Sequence, residues 1–150
     1  MVVITSLPEL LAHWPFLLEG LAVLRNPQGA RGDISPETFF RICMHTVDKG
    51  MTYGLVALLT STNDKPLGFG VMFENTEPGC QKSAIVYAVY SNKKYKHASK
   101  ELLSFAEGWS RANDFKQIQA CSRRFSGAAF QLFEQNWGFR RACVVFTKAV

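Results

Sequence analysis

The stretch that most constrains this chain is Ser83–Leu103, where an apolar run ends in a lysine-rich loop that opens an amphipathic segment. Ser83–Tyr90 is apolar on both alternating faces, as expected of a strand covered on both sides. After the polar loop, Ala98, Leu102, Phe105, Ala106, Trp109 and Ala112 recur at helical spacing. A buried strand feeding a helix through a short loop calls for an α/β arrangement. It also puts the loop where free backbone N–H groups and a helix dipole converge, the place where α/β sheets bind anions. Lys93, Lys94, Lys96, His97 and Lys100 crowd this junction. Cations at a helix N-terminus oppose the dipole at about 0.3–1 kcal/mol each, and a bound anion reverses that penalty. The plainer reading is a solvated lysine face.

The flanking sequence supplies the rest of the sheet. Val2–Ile4 reads as a short edge strand. Ser6 caps a helix carrying Leu7, Leu10, Leu11, Trp14, Leu17, Leu18, Leu21 and Leu24, which is expected to be kinked or interrupted at Pro15. After a turn-rich loop at Arg25–Ser35, the Ser35-Pro36-Glu37-Thr38 start opens a second helix with Phe39, Cys43 and Val47 inward and Gly50 at its end. Tyr53–Thr60 and Leu67–Phe73 are strands joined by a turn at Asn63–Pro66, and a polar loop at Glu74–Lys82 leads to Ser83–Tyr90. Lys116–Cys121 (strand), Gly127–Trp137 (helix) and Arg140–Lys148 (strand) complete the pattern. Residues 1–150 are expected to form a single α/β domain, with antiparallel hairpins first and helical crossovers later.

Composition narrows the function classes. A chain of 150 residues can bury a core without disulfides or metals. No charge-free apolar run is long enough to span a bilayer. The N-terminus lacks the basic region and cleavage site of a signal peptide. The expectation is therefore a cytoplasmic protein with no membrane partner. Cys43, Cys80, Cys121 and Cys143 are widely spaced with no metal-ligand pattern, so they read as free thiols and no metal is expected. A net charge of +5 favours acidic partners such as nucleotide phosphates. Nucleic acid is disfavoured, because Tyr95 is the only aromatic in the basic loop and cannot form a stacking platform alone.

The element order and the residues at its later junctions resemble the GNAT superfamily of acyl-CoA-dependent N-acyltransferases. Val89-x-Ser91-Asn92 falls where the family usually has V-x-P-E. Lys94-Tyr95-Lys96-His97-Ala98-Ser99 falls on its pyrophosphate loop, Leu102-Leu103 on its apolar pair, and Glu134-Gln135-Asn136-Trp137-Gly138-Phe139 on its Y-E-K-x-G-F. The resemblance implies a mixed, largely antiparallel, twisted sheet splayed near Val89–Ser91 and flanked by helices. Acetyl-CoA is implied as cosubstrate, with no metal, and an amine as acceptor. Val89 and Ser91 would hold the pantetheine arm, while Lys94, Tyr95, Lys96, His97, Ala98 and Ser99 would hold the pyrophosphate. Glu134 and Tyr90 are the catalytic candidates, with Glu74, Glu77 and Tyr87 as further proton carriers.

The sequence also departs from the family pattern. His97 replaces a loop glycine, Ser99 a glycine or alanine, Glu134 the frequent tyrosine, Gly127 a helix asparagine, and Ser83 a carboxylate that some members carry. Only twelve residues follow Gly138, so the C-terminal end is expected to be shortened, with one strand missing or supplied by a partner chain in a homodimer or larger assembly. These departures leave a second reading open. The chain would then be a catalytically silent GNAT-like binding or structural module, for example a phage virion or assembly component.

Overall fold

The computed structural model describes residues 1–24, 34–75, 81–95, 97–120 and 132–140. Their elements are β1 (Val2–Ile4), α1 (Leu7–Leu24), α2 (Pro36–Lys49), β2 (Gly54–Thr60), β3 (Pro66–Glu74), β4 (Ser83–Ser91), α3 (Ala98–Ala112) and β5 (Gln117–Ala120), followed by a π-helical turn at Leu132–Asn136. The described strands form one sheet in the order β1-β2-β3-β4-β5. The pairs from β1 to β4 are antiparallel, and β5 joins β4 in parallel.

Strict alternation in the strands explains why both sheet faces are covered. On β2, Val56 and Leu58 pack with Leu10, Leu17, Leu21, Phe39 and Cys43 of α1 and α2. Leu55, Ala57 and Leu59 face the other way, into clusters with Ala98, Leu102, Ala106 and Trp109 of α3. Burying each such leucine or phenylalanine is worth about 1.5–3 kcal/mol, so a strand apolar on both faces has to sit between two helical layers. Gly68 and Gly70 lie beneath Leu102, and a Cβ at Gly68 would meet the Tyr90 carbonyl at 2.6 Å. Glycine is what lets β3 and β4 approach there.

The helix starts follow their caps. Ser35 Oγ accepts from the Thr38 N–H at 3.1 Å, Pro36 occupies the first turn, and Gly50 closes α2 with φ of 84°. Ser6 Oγ accepts from the Glu9 N–H at 3.4 Å, and Glu9 reaches back to the Thr5 N–H at 2.7 Å. Those bonds from Thr5 hold the Glu9 carboxyl below its ordinary range.

Of the two outcomes expected at Pro15, interruption does not occur: α1 runs continuously from Leu7 to Leu24, with Pro15 inside it. Proline removes the bond to the Leu11 carbonyl, but Leu11 is exposed, so water can serve that oxygen. On length and hydropathy alone α1 would suffice to cross a membrane. Here its Leu10, Leu17 and Leu21 are buried against the sheet. Cys43 is a free, buried thiol whose pKa burial pushes up to about 12.

Several other expectations fall outside the described residues. These are the loop at 25–33, Glu77, Cys80, Lys96, Cys121, most of the helix at 127–137, and the final strand beyond Arg140. Gly138 is described, with φ of 69°, and the Phe139 N–H donates to the Phe133 carbonyl at 3.0 Å. That is a left-handed glycine closing a helical turn.

Candidate functional site: a wedge between β4 and β5

β4 lies between β3 and β5. Its ladder to β3 runs from Ala84 to Ser91, and its ladder to the described part of β5, which ends at Ala120, covers Ser83 to Val86.

The junction of these strands is fixed at its base. The Asn75 N–H donates to the Ser83 carbonyl at 2.7 Å, and Asn75 Nδ2 donates to Gln119 Oε1 at 3.1 Å, tying the end of β3 to β4 and β5. The Lys116 N–H donates to the Lys82 carbonyl at 2.8 Å, and Lys82 Nζ donates to the Asn113 carbonyl at 2.6 Å. The same ammonium lies 4.6 Å from the centre of the Phe115 ring. Further along, the β3–β4 register slips between Val71 and Met72, with Val71 opposite Ala88 and Met72 opposite Val86. Tyr87 is the extra residue. This bulge puts both Tyr87 and Ala88 on the α1/α2 side, where both join the same core cluster, and it increases the local twist. The wedge is this junction of β4 and β5, a clamped base with a twisting bulge just above it.

The lysine loop follows the end of β4. The Asn92 N–H donates to the Leu67 carbonyl, the Tyr95 N–H to the Asn92 carbonyl and the Ala98 N–H to the Tyr95 carbonyl, at 2.8, 2.8 and 3.2 Å. Asn92 Oδ1 also accepts from the Lys94 N–H at 3.1 Å. Two successive turns thus set the first turn of α3 directly beyond β4. Its N-cap, His97, makes no capping side-chain hydrogen bond. Lys93, Lys94, Tyr95, His97 and Lys100 are exposed, and among the described residues none of these lysines has a carboxylate partner. The positive charge here is uncompensated and stands beside a positive dipole end.

The structure brings Val89, Ser91, Lys94, Tyr95, His97, Ala98 and Ser99 together along one continuous stretch. Ala98 is buried under Leu59, while Ser99 is half-buried. The Tyr90 side chain lies in the core cluster on the α1/α2 side of the sheet. It is buried among Phe16 and Phe69, with ring centroids 5.8 and 5.6 Å away. Tyr87 is half-buried and stacked on Phe39. Glu134 is exposed on the π-helical turn, where neighbouring Phe133 packs against Trp137 and Phe139. Ser83 is fully buried, and its hydroxyl has no partner among the described residues. His45 sits in a cleft under α2, edge-on to Tyr53. The clamp made by Asn75 and Gln119 and the bulge at Tyr87 carry no sequence signal, because each depends on a partner strand.

No family model and no curated protein matches this sequence. Solved structures do match. The aminoglycoside antibiotic 6'-N-acetyltransferase of Acinetobacter haemolyticus aligns at TM-score 0.66 and 15% identity, over 100% of this chain and 99% of that one. The ribosomal-protein-alanine N-acetyltransferase of Brucella melitensis aligns at TM-score 0.62 and 15% identity, covering 99% and 96%. An aminoglycoside N-acetyltransferase in complex with CoA aligns at TM-score 0.65 and 12% identity, covering 99% of each chain. At these identities the likeness is one of fold. The chain has the GNAT fold: a mixed, open sheet flanked by helices, as the resemblance in its sequence implied.

Proposed function

We propose that this chain binds acetyl-CoA in the wedge between β4 and β5 and transfers the acetyl group to an amine. The observation that carries the reading is the α3 start directly beyond β4, whose N-cap His97 makes no capping side-chain bond and whose lysines have no carboxylate partner among the described residues. Towards that end of β4, an extended amide-containing arm would add to the strand as a further strand does. The pyrophosphate then meets the α3 N-terminus, where it offsets the charge that Lys93, Lys94 and Lys100 place there. Lys96 belongs to the same loop.

The neighbours named above act, by their descriptions, on aminoglycosides and on a ribosomal-protein alanine. Both carry amines, which is why an amine is proposed as acceptor. In the transfer the amine nitrogen bonds to the thioester carbonyl carbon, the C–S bond breaks, and the amine proton ends on the thiolate. Holding both reactants in one groove supplies the larger part of such a rate gain. Proton traffic needs less and can pass through water. Glu134 is the exposed carboxylate offered for it. Tyr90 contributes mainly by walling the groove from the α1 side, since its ring is packed among phenylalanines.

The test is calorimetric titration of acetyl-CoA and of CoA, followed by thiol release with a panel of amines. Binding with thiol release supports the enzyme. Binding without release by any amine supports the silent module. Absence of binding at millimolar acetyl-CoA leaves only the fold.

A further inference from the structure

We propose a second binding site, in the cleft between α2 and the lower end of the sheet, for a small carboxylate with a flat apolar body. The cleft has a volume of about 330 Å³ and is lined by Thr38, Arg41, Ile42, His45, Thr46, Tyr53 and Phe73. Thr38, Arg41, Ile42 and His45 recur at the spacing of one helix face, so α2 supplies one wall as a unit. Tyr53 and Phe73 supply the other, with rings 8° from parallel and centroids 6.3 Å apart. The two walls differ in character: the helix wall is cationic and the sheet wall aromatic.

Two observations point to an anion. Among the described residues, no Asp or Glu lines the cleft. Arg41 is exposed and has no carboxylate partner among the described residues, so its planar donor fork is free for a bidentate contact. The Tyr53 hydroxyl, whose pKa is raised by burial and, to a smaller extent, by nearby Glu74, is a neutral donor on the aromatic wall. The remaining surface is apolar where a ring would lie. The Thr46 hydroxyl is already spent on the Ile42 carbonyl at 2.7 Å, and its methyl is packed beside Gly54. A ligand satisfying both walls carries a carboxylate toward Arg41 and His45 and a ring or compact apolar group toward Tyr53 and Phe73. A pocket of this volume is at the small end of ligand sites, enough for one ring and its acid group. Phe73 also touches Tyr87 of the β4 bulge at 5.5 Å between centroids, so occupancy can be felt at the wedge. The proposal does not rest on what the wedge binds.

The experiment titrates the whole protein with benzoate, benzamide and acetate by ligand-observed NMR, without CoA. Benzoate should bind at millimolar concentration, and benzamide and acetate at least about tenfold more weakly, because each lacks one of the two complementary parts. Arg41→Ala should weaken benzoate by about tenfold or more. Its thermal melt should be unchanged, since Arg41 is exposed. Lys94→Ala, which alters only the wedge loop, should leave benzoate affinity as it was. The proposal is overturned if benzoate binds no better than acetate or benzamide, if Arg41→Ala keeps wild-type affinity, or if Lys94→Ala loses it. Absence of benzoate binding at tens of millimolar overturns it equally.

Discussion

Two helix glycines should respond in opposite directions to the same substitution. Gly20, inside α1, lies against the sheet: a Cβ built there collides with Phe69 Cε1 and stands 2.7 Å from Tyr90 Cδ1. Carbon atoms settle at about 3.5–4 Å, so both rings would have to shift by about 1 Å. Neither has room, because Phe69 is fully buried and held by Phe16, Phe39 and Tyr90. Overpacking of this kind costs about 1–3 kcal/mol, and two rigid rings place it in the upper part of that range. Alanine recovers about 1 kcal/mol of helix propensity. Gly20→Ala should therefore destabilise by about 1–2 kcal/mol, which lowers Tm by about 2–4 °C per kcal/mol for a chain of this size. Gly108, in α3, has nothing within 4 Å of its Cβ position. Gly108→Ala should stabilise by about 0.5–1 kcal/mol. Urea unfolding followed by circular dichroism measures both. In a Phe69→Leu background, the added cost of Gly20→Ala should shrink. Equal stabilisation by the two alanines would refute the packing argument, and with it the placement of α1 on Phe69 and Tyr90.

Four further outcomes are expected. Lys94→Ala should weaken CoA binding about two- to fivefold at low salt and less at high salt, since the contact is exposed and screened; calorimetry at two ionic strengths checks it. His97→Gly should keep or improve CoA affinity in the same assay with no large loss of stability, because the His97 side chain caps nothing in α3. Ser35→Ala should cost about 1 kcal/mol in urea unfolding by removing the α2 cap. The Cys43 thiol has its folded pKa raised from 9.0 to about 12, so the unfolded chain loses its proton first as pH rises. Stability is intact below pH 9 and falls between pH 9 and 12 by up to about 1.4 kcal/mol per unit from this group. Urea midpoints of the wild type against Cys43→Ala isolate that slope.

The sheet was legible because its signals are local. Leu55 to Leu59 alternate between two covered faces, and Ser35, Pro36 and Gly50 punctuate α2 as their chemistry requires. The lysine loop could be placed at a strand–helix junction for the same reason. Pro15 does not interrupt α1, because Leu10, Leu17 and Leu21, on both sides of it, all grip one surface. The wedge was less readable. It depends on the Tyr87 bulge and on the Asn75–Gln119 bond across 44 positions. No sequence window spans such pairings. The α2 cleft shows in sequence only as Thr38, Arg41, Ile42 and His45 on one helix face. The wall that makes it a cleft, Tyr53 and Phe73, comes from two strands.

β1 is three residues long, yet its position gives it a protective task. It covers the outer edge of β2 at Val56, Ala57 and Leu58, in a strand of sequence GLVALLT that carries no charge and no proline. An uncovered edge of that composition is a template for pairing with other molecules. Deleting Val2–Ile4 would remove little core, since only Ile4 among them is fully buried. Its chief effect would be on solubility: the truncated chain would be expected to fold around the same centre and then polymerise edge to edge.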